Sequence, residues 1–224
     1  MSRSVAIFGG TYNPIHLGHL RAAEEVRDVQ RLDEVRFVPA AIPPHKDPTA
    51  VTLASVKHRL RMVELAVADT PGFGAWDIEL ARPGPSYSID TIRALRAELV
   101  PGDRVGFMLG RDAFAEFHTW KEFTEIFALC DVIVVTRPPL TCALGEADLP
   151  VAARKAFRYD PDVGGFLHES GHRLIMQQVT SLDVSATEIR RLVGAGRSIR
   201  FLLPDVVAAY VQEHHIFGAG PTSS

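Results

Sequence analysis

Two histidines three residues apart, His16 and His19, follow a glycine-led turn near the start of the chain. The stretch 5–20 reads VAIFGGTYNPIHLGHL. Residues three apart on a helix project from one face, so both imidazoles can address the same ligand. This arrangement favours a pair that binds an anion such as a phosphate chain. The alternative is that one or both rings bond a backbone carbonyl or face solvent.

A strand, a turn and a helix must position this pair. The apolar run 5–8 before Gly9 and Gly10 is typical of a buried strand in a parallel sheet. The two glycines permit a tight turn, and Pro14 presets φ for a helix that begins near it. Backbone N–H groups left free in the first helical turn, with the positive end of the helix dipole, make an anion site. The string is neither GxGxxG nor GxxxxGK(S/T), which argues against a dehydrogenase fingerprint and a P-loop ATPase.

Length, charge and cysteine content narrow the class of protein. The 224 residues, 46% of them hydrophobic, suit one domain, which we place at 1–217 with a disordered tail at 218–224. A net charge of −3 argues against nucleic-acid partners. Two cysteines without a CxxC pattern, and no apolar leader or apolar run of about 18 residues, indicate a cytoplasmic protein without membrane contact. Homo-oligomer formation is left open.

Apolar runs alternate with helical patterns along the chain, which predicts an α/β fold with a doubly wound, Rossmann-like parallel sheet. We place strands at 5–8, 34–39, 76–80, 105–109, 131–136 and 173–179. We place helices at 17–30, 55–69, 89–99 with Ser88 as a cap, 185–194 with Ser185 and Glu188 as a capping box, and from about 205 to 215. Residues 138–172 read as an irregular excursion with one short helix near 151–157.

The string GGTYNPIHLGH resembles the GG(S/T)(F/Y)(D/N)PxHxGH signature of the nucleotidyltransferase superfamily, whose members transfer AMP or CMP onto a phosphate. Further stretches resemble bacterial nicotinate-nucleotide adenylyltransferases, and the resemblance runs from residue 5 to about 217. Residues 138–172 match least. The resemblance implies an enzyme that joins ATP to nicotinate mononucleotide, releasing pyrophosphate and forming the dinucleotide precursor of NAD.

The resemblance also implies the residues on the mononucleotide side. The segment IPPHKD is similar to the family's PPHK element, which directs Lys46 to this side. The run SYSIDT is similar to SYTxDT, which lies beside the pyridine nucleotide, with Ser replacing the usual Thr at position 88. A family aromatic position places the Trp120 indole against the nicotinate ring. The set expected here is Asn13, Lys46, Tyr87, Ser88 and Trp120.

On the ATP side, Gly110 and Asp112 match the family's GxD, which holds the ribose and adenosine. The run SATEIRR is similar to the superfamily's ISSTxIR element, with Ala186 in place of a serine. Thr187 and Arg190 are one helical turn apart, which suits a polyphosphate grip as well as a surface pair. The set expected to bind ATP is Gly9, Gly10, Thr11, His16, His19, Gly110, Asp112, Ser185, Thr187 and Arg190.

The expected chemistry is electrostatic, because no residue stands out as a covalent nucleophile. His16, His19 and Arg190 are the expected catalytic residues, acting by positioning and charge stabilisation as the acceptor phosphate attacks the α-phosphorus of ATP. Mg²⁺ is expected to bridge the phosphate oxygens of ATP, since no carboxylate cluster offers a metal site built by the protein.

Three alternatives stay open at this point. Phosphopantetheine adenylyltransferase belongs to the same superfamily, but the chain length, Trp120 and the PPHK loop disfavour it. A zinc hydrolase could be built on HESGH at 168–172, although Ser-Gly inside the motif is poor helix chemistry and the motif needs a helix. A catalytically inactive nucleotide-binding module is disfavoured because both motif histidines are present.

Overall fold

Eight strands form one sheet in the order β3-β2-β1-β4-β5-β8-β7-β6 in the computed structural model, which describes residues 2–42, 53–137 and 145–218. The strands are β1 Ser4–Gly10, β2 Glu34–Pro39, β3 Phe73–Ala75, β4 Arg104–Gly110, β5 Asp131–Thr136, β6 Phe157–Asp160, β7 Gly165–His168 and β8 Arg173–Gln178. The helices are α1 Leu17–Val29, α2 Val56–Val67, α3 Ser88–Glu98, α4 Arg111–Ala115, α5 Phe123–Leu129, α6 Ala186–Gly194 and α7 Asp205–Glu213.

Strand β1 lies in the middle of the sheet, hydrogen-bonded in parallel to β2 on one side and to β4 on the other. Phe8 is in register with Phe37 of β2 and with Met108 of β4. The carboxyl ends of these strands therefore meet at one edge, where ligands of open α/β sheets bind. The predicted α/β fold with a mostly parallel sheet is confirmed.

Two apolar clusters cover the two faces of the sheet, and successive residues of β1 point into different ones. Ala6 and Phe8 belong to the cluster that includes α1, α2 and α7. Val5 and Ile7 belong to the cluster that includes α3 and α5. Neighbouring side chains of a strand point to opposite faces of the sheet. Because both faces are buried here, the sequence of β1 is a continuous apolar run.

The prediction for the third strand was wrong. Pairing with β2 uses Phe73–Ala75, and the Trp76 N–H adds one more hydrogen bond to the Phe37 carbonyl at 3.0 Å. The chain then turns, with the Leu80 N–H donating to the Asp77 carbonyl at 2.8 Å. Three residues carry too little periodicity for a sequence pattern to locate such a strand.

Residues 145–172 are also more regular than predicted. Strands β6 and β7 form an antiparallel hairpin, and β7 pairs antiparallel with β8, so this end of the sheet is mixed. The short helix expected near 151–157 is a single 3₁₀ turn, Arg154–Ala156. A Cβ at Gly165 would lie 2.4 Å from the Leu174 carbonyl oxygen, so this pairing requires glycine there.

Two further boundaries bear on the predictions. Ser88 does not cap α3 but is its first residue, and the N-cap is Tyr87. Gly218 is the last residue described, so the predicted tail lies almost wholly outside the described residues, and the single domain at 1–217 stays a prediction. Within the described ranges, none of the helices has the length and apolar character needed to cross a bilayer.

Candidate active site

The turn of residues 11–16 between β1 and α1, here the β1–α1 turn, is fixed from inside by Tyr12. The Tyr12 ring is buried, and its hydroxyl donates to the Phe8 carbonyl at 2.6 Å. A Cβ at Gly10 would lie 2.8 Å from the ring carbon Cζ of Tyr12. Only glycine fits above this ring, so the second glycine of the motif serves the packing of the turn.

The predicted histidine pair lies at the start of α1, with His16 at the N-cap and His19 in the first turn. The two rings stack with centroids 3.7 Å apart and planes inclined by 26°. The His16 backbone N–H donates to Nδ1 of His19 at 3.3 Å. Because that Nδ1 accepts, a neutral His19 carries its proton on Nε2 and can donate it to a ligand.

Both imidazoles favour the neutral form in this environment. Burial, with a smaller contribution in the same direction from the nearby Arg137 guanidinium, lowers the pKa of His16 to about 4. Burial also holds the pKa of His19 well below its ordinary value, with smaller contributions from His16 and Arg137. The pair can therefore act as neutral N–H donors at pH 7, and a bound polyphosphate would raise both pKa values.

Arg137 was missed by the sequence analysis. It follows β5 directly, at the same edge of the sheet as the β1–α1 turn. A Cβ at Gly18 would lie 3.1 Å from the His16 ring and 3.5 Å from the Arg137 guanidinium, so all three meet at one place. The position of an arginine directly after a buried parallel strand was the signal that could have identified it.

The lowered pKa of His16 predicts how stability depends on pH. The unfolded chain binds this proton with a pKa near 6.5 and the folded chain with a pKa of about 4. The contribution is complete above about pH 6.5 and is lost as the pH falls toward 4, because protonation then favours the unfolded state. We expect the urea midpoint of the wild type to fall more steeply over this range than that of His16→Gln. Parallel curves for the two proteins would contradict the assignment.

Arg190 on α6 reaches back to the β1–α1 turn across 177 residues of sequence. Its Nη1 donates to the Asn13 carbonyl at 2.7 Å, and its Nη2 donates to the Thr187 hydroxyl at 3.3 Å. The Ser185 hydroxyl accepts from the Glu188 N–H at 3.1 Å, so the predicted N-cap is confirmed. The Glu188 carboxylate pairs with Arg191 instead of completing the capping box.

A cavity of about 380 Å³ opens beside the carboxyl ends of β1 and β4. Seven of the predicted ligand residues line it: Gly9, Gly10, Thr11, Tyr87, Ser88, Gly110 and Trp120. The others do not line it: His16, His19, Asn13, Asp112, Ser185, Thr187 and Arg190. His16, His19 and Arg190 instead gather around the adjoining β1–α1 turn, so the predicted residues include one group that lines the cavity and another at this turn.

Aromatic rings form one wall of the cavity. The Trp120 ring packs 5.0 Å from Phe117 and 6.1 Å from Phe107, measured between centroids. The Lys121 ammonium lies 4.7 Å from the centre of the Tyr87 ring and 3.3 Å from the Asp90 carboxylate. This wall offers a flat apolar surface with a cation at its edge, which suits a planar anionic ring.

Several residues differ from the sequence-based picture. Asn13 is buried, its amide oxygen accepts from the Ala54 N–H at 3.0 Å, and it lies outside the cavity wall. Asp112 is exposed at the start of α4. Lys46 lies outside the described residues. Glu79, which the sequence analysis did not single out, is a buried carboxylate in the cavity wall and accepts from the Thr91 hydroxyl at 2.8 Å.

The HESGH string does not form the helix that a zinc peptidase requires. His168 ends β7, residues 169–171 turn, and His172 precedes β8. The His168 ring bonds the Ser170 hydroxyl at 2.8 Å, and the His172 ring contacts the Arg96 guanidinium at 3.0 Å. In the parts of the chain that the structure describes, no group of three or more His, Cys, Asp or Glu residues could hold a metal ion.

Solved structures with a similar fold include the Plasmodium falciparum nicotinic acid mononucleotide adenylyltransferase complexed with NaAD. It superposes with a TM-score of 0.70 at 15% identity, covering 96% of this chain and 97% of that one. This likeness concerns the fold.

Sequence comparison is more specific. The cytidylyltransferase-like family model matches residues 7–192. A protein named "Probable nicotinate-nucleotide adenylyltransferase" from Geobacter sp. (strain M21) is 49% identical over 95% of this chain and 97% of its own length. One of the same name from Pseudomonas syringae pv. tomato (strain ATCC BAA-871 / DC3000) is 40% identical over 99% of this chain and 97% of its own length. With this identity and coverage, and with the motif histidines paired at the start of α1, the chain belongs to the nicotinate-nucleotide adenylyltransferases of the cytidylyltransferase-like family.

Proposed function

We propose that this chain transfers AMP from ATP to nicotinate mononucleotide in NAD biosynthesis. An oxygen of the mononucleotide 5′-phosphate attacks the α-phosphorus of ATP in line. One P–O bond forms to that oxygen, and the bond from the α-phosphorus to the bridging oxygen breaks, so pyrophosphate leaves with the electron pair. The products are nicotinate adenine dinucleotide and pyrophosphate. The sequence has only two cysteines, which favours a cytoplasmic location.

The observation that carries this proposal is the stacked pair His16 and His19 at the N-terminus of α1, 3.7 Å apart and beside Arg137. Two neutral N–H donors, a guanidinium and the positive end of a helix dipole converge on one place. Each neutral imidazole presents one N–H, and together with the guanidinium and the helix N-terminus these donors suit the oxygens of a polyphosphate. Its preorganised donors would stabilise the charge that develops on the α- and β-phosphates in the transition state.

On the ATP side, we assign the departing pyrophosphate to Arg190 and Thr187. Arg190 uses two of its N–H groups on Asn13 and Thr187, which fixes the guanidinium and leaves the remaining donors for a phosphate. Gly110 and Asp112 at the end of β4 are assigned to the ribose and adenosine. Ser185 contributes through its cap, which holds the first turn of α6 in place.

On the other side, the cavity of about 380 Å³ suits a mononucleotide. The β1–α1 turn borders its phosphate end, and Trp120 offers its face to the pyridine ring at the opposite end. Tyr87 and Ser88 stand at the start of α3, where free N–H groups favour the carboxylate of nicotinate.

Mg²⁺ is proposed to enter with ATP. The described residues bring together no carboxylate or histidine cluster that fits a metal site built by the protein. An ion bridging phosphate oxygens would neutralise their charge during transfer. The chain's own donors, His16, His19 and Arg190, hold the phosphates that carry the ion.

Pyrophosphate release from MgATP with a panel of acceptors tests this function. We expect release with nicotinate mononucleotide and only background release with phosphopantetheine or inorganic phosphate. Release driven by phosphopantetheine would assign the chain to the other transferase. Nucleotide binding without release for any acceptor would leave an inactive binding module.

Replacement of Arg190 by alanine is expected to raise the KM for ATP by about ten- to a hundredfold and the KM for the mononucleotide much less, because guanidinium–phosphate contacts are strong and often bidentate. Arg191→Ala is the matched control, since Arg191 is exposed and pairs only with Glu188 among the described residues. Titration of each substrate against a saturating level of the other separates the two effects. A change confined to the mononucleotide would mean that the two halves of the site are reversed.

A further inference from the structure

A buried arginine lies beneath the β1–α1 turn. Arg59 comes from α2 and is 1% exposed, although arginine is among the residues least often buried. Its guanidinium donates three hydrogen bonds, all to backbone carbonyls: to Ala54 at 3.1 Å, to Thr11 at 2.9 Å and to Ala41 at 3.2 Å. No part of the function described so far uses this side chain.

The three carbonyls belong to three separate segments that border the site. Thr11 opens the β1–α1 turn, Ala41 follows β2, and Ala54 precedes α2. The Asn13 amide oxygen accepts from the Ala54 N–H at 3.0 Å, which joins two of these segments. The Ser86 hydroxyl accepts from the Ala41 N–H at 2.9 Å, which joins the third to the segment before α3. Arg59 is the centre of this set, because its planar fork reaches all three segments at once.

The contact with Thr11 has a direct consequence for the turn. In a planar trans peptide the C=O and N–H point in opposite directions. Arg59 holds the Thr11 carbonyl toward the interior, so the Tyr12 N–H of the same peptide faces away from the interior. Tyr12 itself has a φ of 48°, a conformation that a tyrosine adopts rarely and that its surroundings must hold. The bond to Arg59 on one side and the bond of the Tyr12 hydroxyl to Phe8 on the other provide that support.

The charge of Arg59 is maintained although it is buried. Burial lowers the pKa of Arg59 to about 10, while the carboxylate of Glu79, also buried, acts in the opposite direction. The side chain therefore remains a cation at pH 7. An apolar residue of similar size would fill the space but leave three buried carbonyls without this donor, and a lysine could reach fewer of them.

We propose that Arg59 is a positioning residue for adenylyl transfer. It touches no substrate, and it sets the orientation of the β1–α1 turn that faces the phosphates. The inference rests on the proposed function of this site. Misplacement of reacting groups by about 1 Å can cost about a hundredfold in rate, so loosening this turn should affect turnover more than substrate affinity.

The test uses Arg59→Lys and Arg59→Met with Arg96→Met as a matched control. Arg96 on α3 also donates to two backbone carbonyls, those of Leu129 at 2.7 Å and Asp103 at 3.1 Å. These lie before β5 and β4, at the opposite edge of the sheet. The control therefore loses the same kind of interaction far from the site. All assays run well below the melting temperature of each variant, with kcat and both KM values measured.

We expect Arg59→Lys to lower kcat by about ten- to a hundredfold with both KM values within about threefold of the wild type. Arg96→Met should lower the melting temperature yet keep kcat within about twofold. A folded Arg59→Lys with wild-type kcat would overturn the inference, as would equal losses of kcat in the control. Arg59→Lys retains the buried charge, so it can be assayed even if Arg59→Met does not fold. Absence of transfer in the wild type would remove the proposed function itself.

Discussion

Replacement of His19 by alanine is expected to lower turnover by about two to three powers of ten while the fold is kept. Loss of one preorganised donor that stabilises developing charge has this scale. His19 is well suited to the role, because its Nδ1 is occupied by the His16 backbone N–H at 3.3 Å and its other nitrogen is then the donor. Its ring also stacks on His16 with centroids 3.7 Å apart and lies 5.2 Å from the Tyr12 ring, so the stability of the variant must be measured together with its rate.

Steady-state rates measured beside a thermal melt check this prediction. His118→Ala is the control, because His118 is an exposed histidine on the 3₁₀ turn Phe117–Thr119. It should leave turnover unchanged. Nearly wild-type turnover in His19→Ala would remove His19 from the mechanism. A large loss accompanied by a collapsed melt would instead assign the ring to packing.

Nicotinate mononucleotide is expected to be preferred over its amide by roughly two to four powers of ten in kcat/KM. The two substrates differ in one group, a carboxylate against a carboxamide. At the start of α3 the N–H groups of Asp90 and Thr91 already donate to the Tyr87 carbonyl, at 3.1 and 3.4 Å. Those of Ser88 and Ile89 come earlier in the helix and have no intrahelical partner, so we expect them to be available to an anion.

A site made of donors rejects the amide because the hydrogens of its NH₂ group meet other hydrogens. Each lost pairing of a buried donor costs about 1–3 kcal/mol, so two such mismatches give the preference stated above. The dipole of α3 and the Lys121 ammonium at the edge of the Tyr87 ring act in the same direction. Asp90 lies 3.3 Å from that ammonium and offsets part of its effect.

The ratio of kcat/KM for the two mononucleotides at saturating MgATP measures this preference. Trp120→Phe is the informative comparison, since a ring that stacks on the pyridine is indifferent to its substituent. It should lower both values and leave their ratio unchanged. A wild-type ratio near one, or one in favour of the amide, would contradict the donor site at α3 while leaving the transfer chemistry intact.

The sequence predicted the elements that are defined by the pattern of their own residues. Strands β2 and β5 have the predicted bounds, and α1 begins where Pro14 and the histidine spacing placed it. These elements combine a continuous apolar run or a helical period with a clear stop signal, so the sequence alone identifies them. The positions of His16 and His19 in the fold followed from the same signals.

The elements and site residues that the sequence did not predict depend on contacts between distant segments. The hairpin of β6 and β7 is defined by pairing with β8, and the short β3 by pairing with β2. The role of Arg59 follows only from its neighbours in space, and the position of Arg137 after a buried strand does not by itself show that its guanidinium lies near His16. Asn13 matched the motif, but its amide oxygen accepts from the N–H of Ala54, which precedes α2.

The bond from Arg190 to the Asn13 carbonyl joins segments 177 residues apart, so we expect the proposed phosphate site to be completed late in folding. Contacts of such long sequence separation form slowly, because a long loop must close first. During synthesis the β1–α1 turn leaves the ribosome long before α6 exists. We therefore expect refolding chains to recover secondary structure before they recover turnover, and nascent chains that lack α6 to be catalytically silent.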